Sequence, residues 1–268
     1  MKLATVSRGA GTSTAAVLVD DLWRRLPAAD LGAWLLAEQP AEPGEPLPGW
    51  GPVNPLPRPG KVICCGLNYA DHIAETGRDL PSHPTLFAKH ADTLLGPAEE
   101  IVAPKDVALD WEAELAVVVG RPIRGADRDE AAAAIAGYTV ANDISVRDWQ
   151  RRTVQWFQGK AWDRTTPIGP VVVTPDDLDP LAGVAIRCRV NGELVQRANT
   201  RTLVFDCATL LAYISTFTAL RPGDLVLTGT PGGIGAAMDP PRFLADGDLV
   251  ETEIDGIGVL RNRVRLLP

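Results

Sequence analysis

A chain of 268 residues, 46% apolar and 22% charged, is long enough to bury a large core without disulfide or metal staples. Its formal charge of −8 argues against nucleic acid or an anionic membrane as the main partner, although a small anion can still meet a local cluster of positive side chains. No run of about 18 apolar residues is present to cross a membrane, and Met1–Val6 lacks a signal-peptide core, so a cytoplasmic location is the expectation.

Residues 2–6 and 15–19 read as short strands, and Asp30 as the N-cap of a short helix reaching Leu36. Residues 40–60 hold eight prolines, a density that neither a helix nor a central strand survives. They are expected to form an extended connector, dividing a small N-terminal lobe with its linker (1–60) from a main domain (61–268). Residues 61–66 read as a strand running into a helical turn that carries His72 and Glu75, three apart and so neighbours on a helix. The pair can hold an imidazole as a water-activating base, or be an incidental surface pair.

The segment Asp110-Trp111-Glu112-Ala113-Glu114-Leu115-Ala116-Val117-Val118-Val119-Gly120 organises the rest. Its apolar half suits a strand covered on both faces. The period-2 alternation puts Glu112 and Glu114 on one face, continued by Ala116 and Val118. Two buried carboxylates repel and each resists desolvation, unless a hard divalent cation joins them; otherwise the strand simply starts in solvent. Asp143, ending the next apolar stretch (138–142), is a candidate third ligand for Mg²⁺ or Mn²⁺, or a helix cap.

Between these strands, Asp127 and Glu130 form a capping box for an Ala-rich helix expected to stop at Gly137. Ser145 and Asp148 signal another helix, running towards Gln158, with Arg147 and Gln150 on one face and Lys160 just past its end. Arg147, Gln150 and Lys160 can bind a carboxylate and a developing oxyanion, or be a solvated helix face, as Arg151 and Arg152 are expected to be. Val190-Asn191-Gly192-Glu193 predicts a type I′ hairpin, and Asp255-Gly256 another. Asp206 caps a helix with Leu210, Leu211, Ile214 and Phe217 on one face. The strand 225–227 leads into Thr228–Gly235, whose glycines permit close approach to an anion or make a tight turn. Cys64, Cys65, Cys188 and Cys207 form no CxxC pair and read as buried hydrophobes. The class expected is α+β, mostly β and mostly antiparallel.

Five segments in order, GLNYADHIAE (66–75), DWEAELAVVVG (110–120), ANDISVRDWQ (141–150), GKAWDRTTPIGP (159–170) and RPGDLVLTGTPGGIG (221–235), resemble the fumarylacetoacetate hydrolase family over residues 61–265. The resemblance implies a mixed β-sandwich roll, a homodimer, and one Mg²⁺ or Mn²⁺ held by Glu112, Glu114 and Asp143. It implies catalytic roles for His72, Glu75 and Lys160, and a substrate pocket lined by Tyr69, Arg147, Gln150 and Thr230. Phe87-Ala88-Lys89-His90 departs from the family's usual Lys-Pro and is expected to touch no ligand. The activity implied is cleavage of a C–C bond in an acylpyruvate, a 2-oxo acid or diacid, to pyruvate and a carboxylic acid. The stretch 147–156 resembles members from aromatic-acid breakdown that take fumarylpyruvate-like diacids. Tautomerisation, oxaloacetate decarboxylation and metal-dependent binding without turnover are the alternatives.

Overall fold

The computed structural model describes residues 1–9, 11–37, 42–75, 77 and 79–268. The expected connector is described from residue 42 on; Pro40 lies outside the described residues. The N-terminal strands Lys2–Ser7 and Ser13–Val19 form as expected, joined by Leu22–Arg25, and Asp30 caps the helix Leu31–Leu36 by accepting the Ala33 N–H.

One large sheet runs from these strands through Thr166–Val173, Ile135–Asn142, Ala113–Val119, Leu225–Leu227 and Val62–Gly66 to Thr85–Lys89. Lys2–Ser7 pairs antiparallel with Thr166–Val173, so the N-terminal strands extend this sheet. A second sheet, ordered Glu193–Asn199, Ala185–Val190, Leu249–Ile254, Gly258–Leu267 and Ile101–Pro104, packs across it. Pairing is mainly antiparallel; Val62–Gly66 on Leu225–Leu227 and Ile101–Pro104 on Gly258–Leu267 are parallel.

Every residue of Ala113–Val119 is buried. Its two faces serve two different cores. Ala113, Leu115, Val117 and Val119 join a cluster that includes Ile186, Cys188, Ile254 and Leu260 of the second sheet. Ala116 and Val118 pack instead with Val62, Cys64, Leu225 and Leu31 on the opposite side. The fold is α+β, mostly β, and all four cysteines are free and buried.

Three helix expectations are corrected. The capped helix is Arg128–Ala133, and Gly137 lies within the strand Ile135–Asn142. A Cβ at Gly137 would stand 2.5 Å from the Val173 carbonyl oxygen, so close strand approach, not helix termination, requires the glycine. The helix expected from Ser145 is two short ones, Arg147–Gln150 and Phe157–Lys160, and Lys160 is the last residue of the second. Phe217 lies beyond the helix Cys207–Ser215 and is exposed, while Leu210, Leu211 and Ile214 are buried as expected.

Candidate metal centre and adjoining cavity

The pairing of Ala113 with Asn142 brings two carboxylate-bearing strand ends together. The Asp143 N–H donates to the Glu112 carbonyl at 2.8 Å, and Asn142 Oδ1 accepts the Glu112 N–H at 2.9 Å. Glu112, Glu114 and Asp143 are thereby buried with one carboxylate oxygen each inside a 4.8 Å cluster. This donor set fits a hard dication: three oxygens, no sulfur or imidazole, and a cavity alongside with room for water.

Three cations are buried in the same place. Lys160 Nζ donates to Glu112 Oε2 and to Asp143 Oδ2, both at 2.7 Å. Lys89 Nζ donates to Asp143 Oδ1 at 2.5 Å, which corrects the expectation that its segment touches no ligand. Arg147 pairs through Nη1 with Glu112 Oε1 at 2.7 Å and through Nε with Asp110 Oδ2 at 2.8 Å. Four buried carboxylates (Asp110, Glu112, Glu114, Asp143) thus face three cations. The surplus falls on Glu114, which accepts the Gly229 N–H at 2.7 Å.

The titration directions follow that imbalance. Burial works against the charge on Glu112, but Lys160 and Arg147 outweigh it and bring the carboxyl down to about 2. Burial, then Asp143 and Glu112, push Glu114 well above the usual carboxylate range. Burial also opposes the Lys160 ammonium, yet Asp143 and Glu112 raise its pKa. A dication beside Glu114 would offset the surplus and would leave the site net positive, suited to an anionic ligand.

A cavity of about 680 Å³ opens beside this cluster, its wall including His72, Glu112, Arg147, Gln150, Lys160 and Thr230. Arg147 Nη1 also donates to Gln150 Oε1 at 2.9 Å, and its buried Nη2 has no hydrogen-bond partner among the described residues. Cys65 joins the wall, its thiol pushed up to about 12 by burial. Arg151, expected in solvent, is exposed but also borders the cavity; Arg152 stacks 3.6 Å over the Trp149 ring. Tyr69 is fully buried and does not border the cavity, its hydroxyl likewise without a partner among the described residues.

His72 and Glu75 lie on the helix Ala70–Glu75, with Nδ1 and Oε2 3.7 Å apart, too far for a hydrogen bond. Glu75 Oε2 instead accepts the Gly233 N–H at 2.9 Å. The glycine loop does meet anions, but they belong to the chain. Gly229, Gly233 and Gly235 donate their N–H groups to Glu114, Glu75 and Asp110.

The sequence assigns no site role to Lys89, Asp110 or Gln196. Lys89 has a weak signal as a lone cation ending the Thr-Leu-Phe-Ala run, and Asp110 begins the segment 110–120. Gln196, whose Oε1 accepts the Ala113 N–H at 2.9 Å, has none.

The chain is similar to known proteins in sequence and fold. The family model for the fumarylacetoacetate (FAA) hydrolase C-terminal region matches residues 61–265. Rat mitochondrial oxaloacetate tautomerase Fahd2a is 45% identical over 212 residues, covering 78% of this chain and 68% of that protein. Among solved structures, fumarylacetoacetate hydrolase from Exiguobacterium antarcticum superposes with a TM-score of 0.89 at 32% identity, covering all of both chains. Fumarylpyruvate hydrolase from Pseudomonas aeruginosa, solved with Mn²⁺ and pyruvate, gives 0.70 at 34% identity over 77% of this chain and 90% of that one. The chain belongs to the fumarylacetoacetate hydrolase family of enzymes.

Proposed function

We propose that this protein is a divalent-metal-dependent enzyme of 2-oxo acid enol chemistry, and that its reaction is keto–enol tautomerisation of a short 2-oxo diacid of the oxaloacetate class. The observation that carries this reading is the buried Glu112–Glu114–Asp143 cluster, with its unbalanced negative charge, beside a small cavity rimmed by cations. The 45% identity to an oxaloacetate tautomerase supports the choice of reaction.

Glu112, Glu114 and Asp143 would hold Mg²⁺ or Mn²⁺, which supplies a Lewis acid that makes the C–H beside a chelated 2-oxo group easier to ionise. Lys160 Nζ, held by two carboxylates, faces the negative charge that develops on the 2-oxygen. Arg147 and Gln150 receive a substrate carboxylate, the free Nη2 of Arg147 being one donor. His72, in the cavity wall, moves the proton at C3, and the Glu75 carboxylate, 3.7 Å from Nδ1, supports the charged form of the ring. Tyr69, buried and not bordering the cavity, would play a supporting role rather than touch substrate. The family resemblance also carries the proposal of a homodimer, which sedimentation velocity would test.

The test is the decay of oxaloacetate enol absorbance with protein and Mg²⁺, then with EDTA added. Acceleration abolished by EDTA supports the reading; a rate equal to buffer with Mg²⁺ alone sinks it. A second reading, hydrolysis of an acylpyruvate to pyruvate and a carboxylic acid, is favoured by the presence of both His72 and Glu75 and by the likeness to fumarylpyruvate hydrolase. Release of pyruvate from fumarylpyruvate, with no enol decay on oxaloacetate, would favour it.

A further inference from the structure

Gln196 lies on the strand Glu193–Asn199 of the second sheet, 2% exposed, and does not border the cavity. Its amide makes three hydrogen bonds. Oε1 accepts the Ala113 N–H at 2.9 Å. Nε2 donates to the Pro231 carbonyl and to Thr230 Oγ1, each at 2.9 Å. The amide cannot be turned round: a backbone N–H can only donate and a carbonyl can only accept, so the oxygen must face Ala113 and the nitrogen Pro231.

That fixed amide decides what Thr230 can do. The hydroxyl of Thr230 is an acceptor towards Gln196, so its single hydrogen is not spent there. Thr230 is 3% exposed and forms part of the cavity wall, and no acceptor for that hydrogen is found among the described residues. We infer that Gln196 is a positioning residue which polarises Thr230, making its hydroxyl an obligatory donor to an anionic oxygen in the cavity. The Gln196–Ala113 bond lies at the start of the strand that carries Glu114, next to Glu112. The amide therefore also fixes that donor relative to the candidate metal ligands. This inference rests on the 2-oxo-acid reading of the cavity.

Oxalate, a compact chelating dianion, is the probe, titrated calorimetrically into the Mg²⁺-loaded protein; Mn²⁺ affinity is measured separately by electron paramagnetic resonance. Thr230→Val, which keeps the shape without the hydroxyl, is expected to weaken oxalate roughly 10- to 100-fold, as for a hydrogen bond to a charged group. Thr230→Ser should restore binding to within a few-fold. Gln196→Glu still accepts from Ala113 but now draws the Thr230 hydrogen to itself, so it should lose oxalate affinity by a similar factor. The double variant Gln196→Glu/Thr230→Val should be no worse than Thr230→Val alone, because both remove one donor. Mn²⁺ affinity should change less than about threefold in the charge-neutral variants Thr230→Val and Thr230→Ser, which a general loosening of the site would not allow.

Oxalate affinity unchanged in Thr230→Val overturns the inference, even if Gln196→Glu fails to fold. Multiplicative losses in the double variant overturn it as well. Wild-type protein that binds Mn²⁺ but never oxalate overturns the 2-oxo-acid reading, and the inference with it.

Discussion

Glu75 and His72 sit within one helical turn, yet the Glu75 oxygen nearest the imidazole, 3.7 Å from Nδ1, takes its hydrogen bond from Gly233 at 2.9 Å. The carboxylate is shared between the glycine loop and the ring whose charge it would support. Glu75→Gln keeps an oxygen for the Gly233 N–H but loses the charge that supports an imidazolium. We expect kcat on the enol substrate to fall roughly 10²- to 10⁴-fold with the melting temperature little changed. Stopped-flow absorbance with parallel calorimetry checks this; an unchanged kcat removes Glu75 from the proposed reaction.

The two neighbouring glutamates predict opposite pH behaviour. Glu114 binds its proton more tightly in the folded chain than in the unfolded one. Stability of the metal-free protein therefore falls as pH rises from the ordinary carboxylate range through the raised value. Glu112, brought down to about 2, contributes stability above its unfolded pKa, lost as pH falls towards about 2. A dication needs Glu114 charged, so its binding should release a proton and its stabilising effect should grow with pH. Calorimetry in buffers of different ionisation enthalpy measures the proton. A metal-induced shift in melting temperature that is flat with pH contradicts the assignment.

Lys89→Met removes a buried cation from a carboxylate that is itself fully buried. Breaking such a pair by deleting one partner costs about 3–5 kcal/mol. Urea unfolding of the metal-free variant should show a loss of that size, partly recovered with Mn²⁺, which supplies the missing charge.

Asp110 collects four donors on two oxygens: Trp111 N–H and Gly235 N–H on Oδ1, Ala236 N–H and Arg147 Nε on Oδ2. In Asp110→Asn the amide nitrogen must face two donors whichever way it turns, and Arg147 loses a charged partner. A destabilisation of about 3–5 kcal/mol is expected, with KM rising more than kcat falls as the guanidinium loses its fixed position. Steady-state kinetics and urea unfolding together test it.

What could be read from the sequence was what neighbours in the chain determine. The alternation in 110–120, the Asp30, Asp127 and Asp206 caps and the Asn191-Gly192 turn each depend on residues a few positions apart, and each is found. The break after Gln150 depends on a fold-back. A Cβ on Gly159 would stand 2.4 Å from the Gln150 Cβ, whereas nine residues of continuous helix would separate the two by about 13 Å. Local capping signals cannot register that contact. Lys89 and Gln196 escaped for the same reason: their partners Asp143 and Ala113 are supplied by distant strands, and a lone lysine or glutamine carries no periodicity of its own.

Because the Ala113–Asn142 register sets the spacing of Glu112 and Glu114 against Asp143, the three acids behave as a single heritable unit. An insertion in the connection 120–134, outside the helix Arg128–Ala133, leaves that unit untouched, while one added residue inside either strand would rotate part of it out of reach. Anyone grafting this centre onto another scaffold should therefore move the paired hairpin whole, and choose hosts that already have a strand ready to lie beside it.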